Sequence, residues 1–151
     1  LTFVPTFVSQ EAREDDAAES AEKERLARLL PGAPAKRKVL LEQWREEHPR
    51  PKATLAQVAD HIEHVIRLIG VDYVGIGGDF DGIETVVEGL EDVSRYPHLL
   101  AELLRRGASD NDIKKIAGLN LLRVLRNVEG VAARLRKERT PSSVLFEGDK
   151  P

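Results

Sequence analysis

Val71-Asp-Tyr-Val-Gly-Ile-Gly-Gly-Asp-Phe-Asp-Gly82 is the stretch on which the reading of this chain turns. Tyr73, Val74 and Ile76 favour a strand. Gly75, Gly77 and Gly78 weaken one, unless a backbone or a ligand has to come close. Asp79 and Asp81 fall where the strand should stop, beside the turn former Gly82. Alternation along a strand puts Tyr73, Gly75, Gly77 and Asp79 on one side and Val74 and Ile76 on the other. Ligands of α/β folds bind at the carboxyl ends of parallel strands, so an acid there is a candidate for chemistry.

Upstream, Thr54 and Gln57 have the spacing of a capping box. Leu55, Val58, Ala59, Ile62, Val65, Ile66 and Ile69 then recur at helical period, and Gly70 fits the end of that helix. Leu1 to Val8 is apolar and β-like, with Pro5 marking an end near Val4. Ser9 to Leu30 is charge-dense and Ala-rich, and reads as a helix with a thin apolar stripe. Lys36 to Glu47 reads as a short amphipathic helix carrying the single Trp, Trp44. Downstream, helices are expected from Ser94 or Arg95 to Gly107, from Ser109, and through Leu121–Leu135 after a joint at Gly118-Leu-Asn120. A tail from Thr140 reads as loose. The sequence thus holds two strands, which cannot form a stable sheet unaided. The strand at 71–79 also reads as covered on both faces, as parallel strands are. Both features point to a piece of a larger α/β domain.

Composition narrows the classes. The chain has 151 residues, 41% apolar and 32% charged, with a formal net charge of −3. That balance argues against a nucleic-acid surface. No apolar run reaches about 18 residues, so no membrane span is expected. Zero cysteines removes thiolate chemistry and fits a reducing, cytoplasmic setting. The first residues lack a basic signal-peptide region. The chain opens in mid-strand pattern and contains no Met, which reads as a fragment with an upstream start.

Each site candidate has a plainer reading beside it. Asp79 is either a pocket carboxylate, as the strand-end rule allows, or a cap on a nearby turn. Asp79-Phe-Asp81-Gly82 opens like a calcium loop, but Glu84 stands where glycine is needed and Leu90 where glutamate is. Gly75-x-Gly77-Gly78 lies within the strand and no Lys-Ser/Thr follows, so it makes a poor phosphate cradle. His61 and His64 lie on the polar side of the 54–69 helix. Their offset from Glu63 is not His-Glu-x-x-His, and a solvated face is the better reading.

The chain resembles the carboxy-terminal part of the membrane (renal) dipeptidases of the amidohydrolase superfamily. The likeness runs through Leu1-Thr-Phe-Val-Pro-Thr-Phe-Val8, Ala59-Asp-His-Ile-Glu-His64, Gly70–Gly82, Gly89-Leu-Glu-Asp-Val93, Tyr96-Pro, Leu100-Ala-Glu-Leu-Leu-Arg105 and Asn120-Leu-Leu-Arg-Val124. It implies an α/β fold, namely the C-terminal fragment of a (β/α)8 TIM-type barrel. Strands 7 and 8 and the terminal helices would lie in residues 1–139, with a helical insertion at about 10–50 and a tail at 140–151. The resemblance further implies a dipeptide substrate, two zinc ions and a metal-activated water. Asp79 matches the strand-8 aspartate that passes a proton to the leaving amine. Phe7 matches an aromatic lining the substrate pocket, and Gly78 and Asp81 are expected beside the substrate. The family's zinc ligands and its carboxylate-binding arginine come from earlier strands, so no residue of this chain is assigned as a metal ligand and the chain alone is expected to be inactive. A homodimer is expected only of a full-length enzyme. Two rivals stand beside this reading. One is another amide hydrolysis of the same superfamily, and the other is a non-enzymatic interaction domain using the charged stretch at 11–28.

Overall fold

Proline and serine start the fold. The computed structural model describes residues 1–141, so the expected tail lies, beyond residue 141, outside the described residues. Pro5, whose fixed φ suits a first helical position, opens a single turn, α1 (Pro5–Val8). Ser9 ends that turn and caps the next helix, α2 (Gln10–Leu29), accepting from the Ala12 N–H at 3.3 Å. The buried residues of α2 are Ala12, Glu19 and Leu26, a seven-residue spacing, so the expected apolar stripe is thin and has an acid at its middle position. After the Pro31-Gly32 turn, α3 (Pro34–Glu47) runs back along α2 and buries no residue. Arg37 closes the turn by donating to the carbonyls of Leu30 at 3.1 Å and Pro31 at 3.3 Å.

The core begins at α4 (Leu55–Ile69). Its capping box forms as the spacing predicts: Gln57 N–H donates to Thr54 Oγ1 at 3.4 Å, and Thr54 N–H donates to Gln57 Oε1 at 2.8 Å. Val58, Ala59 and Ile62 are fully buried. Gly70 ends the helix at φ +88°, a conformation that costs a side chain energy and glycine none. The loop before α5 is tied to the start of α4 by Leu55 N–H to Glu88 O at 2.9 Å and Glu88 N–H to Ala53 O at 2.8 Å. This docking buries Val87 and Leu90 against Val58 and its neighbours. A 3₁₀ turn (Val93–Arg95) leads into α5 (Tyr96–Arg105), which adds Leu99 and Leu103 to the core. Ser109 and Asp112 cap α6 (Asp110–Lys114), again as read from the spacing. The expected joint is a wide π turn (Lys115–Leu119), followed by α7 (Asn120–Glu138).

The strands are where the structure corrects the sequence. Among the described residues there is no regular strand, only isolated bridges. Residues 71–73 wind as a 3₁₀ turn, Val71–Tyr73, instead of opening a strand. Leu1–Val4 and Val74–Gly78 are short extended segments joined by one parallel bridge, Thr2 to Gly77. The pairing cannot lengthen. Pro5 turns the first segment into a helix, and a 3₁₀ turn precedes the second. Barrel strands 7 and 8 are therefore not seen as strands. A parallel strand is held by neighbours on both edges, and each segment here has one.

Candidate functional site

The two extended segments lie side by side in the same direction. The Leu1 N–H donates to Gly75 O at 2.8 Å and the Gly77 N–H to Leu1 O at 2.9 Å. Both chains therefore leave the pair at the same end. The first leaves into α1, which carries Phe7; the second leaves through Asp79.

Asp79 has φ +59°, the one non-glycine residue in the left-handed region among those described. This conformation disfavours L-residues by about 1–2 kcal/mol, least for Asp and Asn. Strand alternation does not extend to Asp79. The backbone leaves the extended form at Asp79, so the turn sets where its side chain goes. Gly82 N–H donates to Asp79 O at 3.0 Å, closing that turn. The carboxylate folds back over Gly82, where a Cβ would sit 2.7 Å from Asp79 Oδ1. Glycine at 82 is thus what leaves room for the acid. Asp79 is exposed, and its carboxylate enters no hydrogen bond or ion pair among the described residues, unlike the Asp92 and Glu91 carboxylates further along the loop.

Gly78 is buried and tightly packed. A Cβ there would lie 2.5 Å from a Phe80 ring carbon and 2.8 Å from the Tyr96 hydroxyl. Phe80 and Tyr96 both pack against Phe3, at ring-centroid distances of 6.4 Å and 5.7 Å. Phe3, one residue beyond the bridge on the neighbouring segment, is 1% exposed. The glycine-rich run thus lets an aromatic cluster close beneath the backbone that presents Asp79. Asp81 is exposed on the same turn, and Phe7 is 63% exposed on α1.

A cleft of about 600 Å³ opens beyond the same end of the pair, lined in part by Val4, Thr6, Asp15, Arg50, Glu84 and Glu91. Asp79, Phe7, Gly78 and Asp81 are not among its lining residues. The structure therefore brings Asp79 and Gly82 together, and Gly78 with Phe80 and Tyr96, without walling Phe7 and Asp79 into one cavity. His61 and His64 are exposed on α4. The described residues contain no group of three or more His, Cys, Asp or Glu placed to hold a metal ion.

Sequence reading missed two arrangements. One is the ionic set between α2 and the α3 end. Arg45 donates to Asp15 Oδ1 at 2.7 Å and to Glu19, while Arg50 reaches Glu19 at 2.6 Å and Lys23 reaches it at 2.7 Å. Burial pushes the Glu19 carboxyl up, but Lys23, Arg45 and Arg50 together hold it below its ordinary value. The seven-residue spacing of Ala12, Glu19 and Leu26 was the available signal, since it puts Glu19 on the buried seam. The other is Asn120, which sequence reading placed at a joint and which the fold buries against the 3₁₀ turn before Asp79.

The membrane dipeptidase family, peptidase family M19, matches residues 1–139. This chain belongs to that family. A dipeptidase of Claviceps purpurea, tcpJ, is 50% identical over 90 residues, 60% of this chain and 21% of the relative. The dipeptidase verJ of Clonostachys rogersoniana is 52% identical over 94 residues, 62% of this chain and 24% of the relative. An uncharacterized dipeptidase of Schizosaccharomyces pombe is 43% identical over 100 residues, 66% of this chain and 24% of the relative. The matched region thus spans less than a quarter of these family members, all named dipeptidases. Among the described residues of this M19 chain, no helix is long and apolar enough to cross a membrane.

Proposed function

We propose that this chain is the C-terminal part of a dipeptide-hydrolysing barrel enzyme, with Asp79 as its proton-transferring carboxylate. The observation that carries the proposal is the conformation of Asp79. A non-glycine residue is held in the left-handed region at the carboxyl end of a parallel pair, with its carboxylate exposed and Gly82 leaving it room. Strained residues at such places are a mark of functional sites. The rival reading of Asp79 as a turn cap would require the side chain to accept a hydrogen bond, and none is made among the described residues.

In this reading Asp79 accepts a proton from the attacking water and returns it to the departing amine, a role worth about 10²–10⁴-fold in rate. Phe7, on the same end of the pair, gives an apolar wall for a side chain of the substrate. Gly78 and Asp81 flank the reacting end, Gly78 through the backbone it brings close. The family resemblance adds zinc. By the same resemblance, the ligands of those ions would belong to segments outside this chain. Dipeptidase names among the relatives favour dipeptides over other amides.

The test is Asp79→Asn in a full-length protein containing this chain. Asn keeps the shape and loses the proton-carrying group. Dipeptide turnover should fall by about 10²-fold or more, chiefly in kcat, with metal content and melting temperature unchanged. Turnover within about threefold of wild type would remove Asp79 from the reaction.

A further inference from the structure

We infer that Asn120 is a positioning residue for Asp79, acting through the backbone between them. This rests on the reading of Asp79 given above. The Asn120 side chain is on the first residue of α7 and 7% exposed. Its Nδ2 donates to Val71 O at 2.7 Å and to Val74 O at 2.8 Å. Both partners are carbonyl oxygens, so only the amide nitrogen can face them. One side chain thus closes both ends of the 3₁₀ turn from which the Asp79 segment departs.

The surroundings make this a fixed point. Val74 is 3% exposed, and its carbonyl would be buried without a donor if Asn120 were shortened. The same turn is held from α7 and the wide turn before it by Lys115 Nζ on Asp72 Oδ1 at 2.7 Å and by Arg123 on Asp72 O. The wide π turn Lys115–Leu119 sets where Asn120 meets the Asp79 segment. Such turns are frequent at functional sites. Downstream of Val74, the segment is held by Leu1 at Gly75 and Gly77 and by the aromatic rings at Gly78. Asn120 is the one side chain hydrogen-bonded to the backbone of residues 74–78 among the described residues. Its loss would let the segment slide along Leu1–Val4 and shift the Asp79 turn. A misplacement of about 1 Å can cost on the order of 10²-fold in rate.

A double-mutant cycle in a full-length protein containing this chain tests the inference. Asn120→Ala should lower kcat by roughly tenfold to a hundredfold with KM within about threefold. In an Asp79→Asn background, where the carboxylate is already gone, the same change should cost less than about twofold. A residue that only stabilises the fold would lower activity equally in both backgrounds, and that result overturns the inference. So does an unchanged kcat. If the alanine variant folds poorly, Asn120→Asp replaces it. It keeps the shape and, ionised, cannot donate. Amide hydrogen exchange gives a readout apart from turnover: Gly77 N–H should exchange faster in the variant while Ile62 N–H does not. Unchanged exchange at Gly77 also overturns the inference. A silent Asp79→Asn would sink the reading of Asp79 and the positioning role together. A steep Asp79→Asn effect with additive Asn120 losses would sink the positioning role alone.

Discussion

The α2–α3 hairpin and the body around α4 and α5 are held by different forces. The body buries Phe3, Val58, Ile62, Val87, Leu90, Leu99 and Leu103 in one cluster. The hairpin buries Ala12, Glu19 and Leu26 from α2 and nothing from α3. Its inner contacts are ionic: Arg45 on Asp15 and Glu19, and Arg50 and Lys23 on Glu19. Trp44 stacks on His48 at 4.4 Å instead of entering the core. Apolar burial is indifferent to pH and strengthened by many salts, whereas ion pairs are weakened by salt and by acid. A hairpin fastened by charge can be carried on such a body without enlarging its core, and it can loosen without unfolding that body.

The largest effect expected from this contrast is in the body. Phe3→Ala leaves a cavity beneath Phe80 and Tyr96 and should cost about 3–5 kcal/mol. Hairpin and body should then lose their protection from hydrogen exchange together. A purely local loss around residues 1–9 would show that the aromatic cluster does not bind the body.

Arg45→Ala should act the other way. It leaves Asp15 and Glu19 facing each other without their shared cation, at a cost of about 2–3 kcal/mol. The α2–α3 amides should exchange faster while α4 amides keep their rates. Acid should mimic it. The Glu19 carboxyl is held below its ordinary value of 4.5. Its contribution is therefore full above that value and falls away as pH drops below it. Exchange of the α2–α3 amides, read from about pH 6 to about pH 3 on a scale corrected for intrinsic rates, should rise ahead of that of α4. Simultaneous loss in both regions would break the comparison.

The smallest effect is at the start of α4. Thr54→Ala removes half of a capping box and should lower stability by about 1 kcal/mol, read as a shift in the denaturant midpoint with unchanged slope. Glu88 still holds Leu55 through backbone hydrogen bonds, so α4 should start at the same residue. A shifted helix start would show that the cap, not the docked loop, places it.

Local signals in the sequence determined the helices. The Thr54–Gln57 and Ser109–Asp112 boxes, the apolar period of α4, Pro5 as an end of extended chain, and the glycines at 70 and 107 all act within one or two turns. Such signals need no distant partner, so they can be read in order. The Gly-Gly-Asp-Phe-Asp-Gly stretch likewise marked Asp79 as the residue to watch and carried the family resemblance. The tertiary structure alone decided that Val71–Tyr73 is a 3₁₀ turn, because Asn120 and Arg123 of α7 and Lys115 of the π turn before it grip it. It alone decided that Tyr96 closes over Gly78, and that Arg45 joins two acids 26 and 30 residues away. These are contacts between segments far apart in the chain. Their energy depends on which surfaces meet, and no local pattern encodes that meeting.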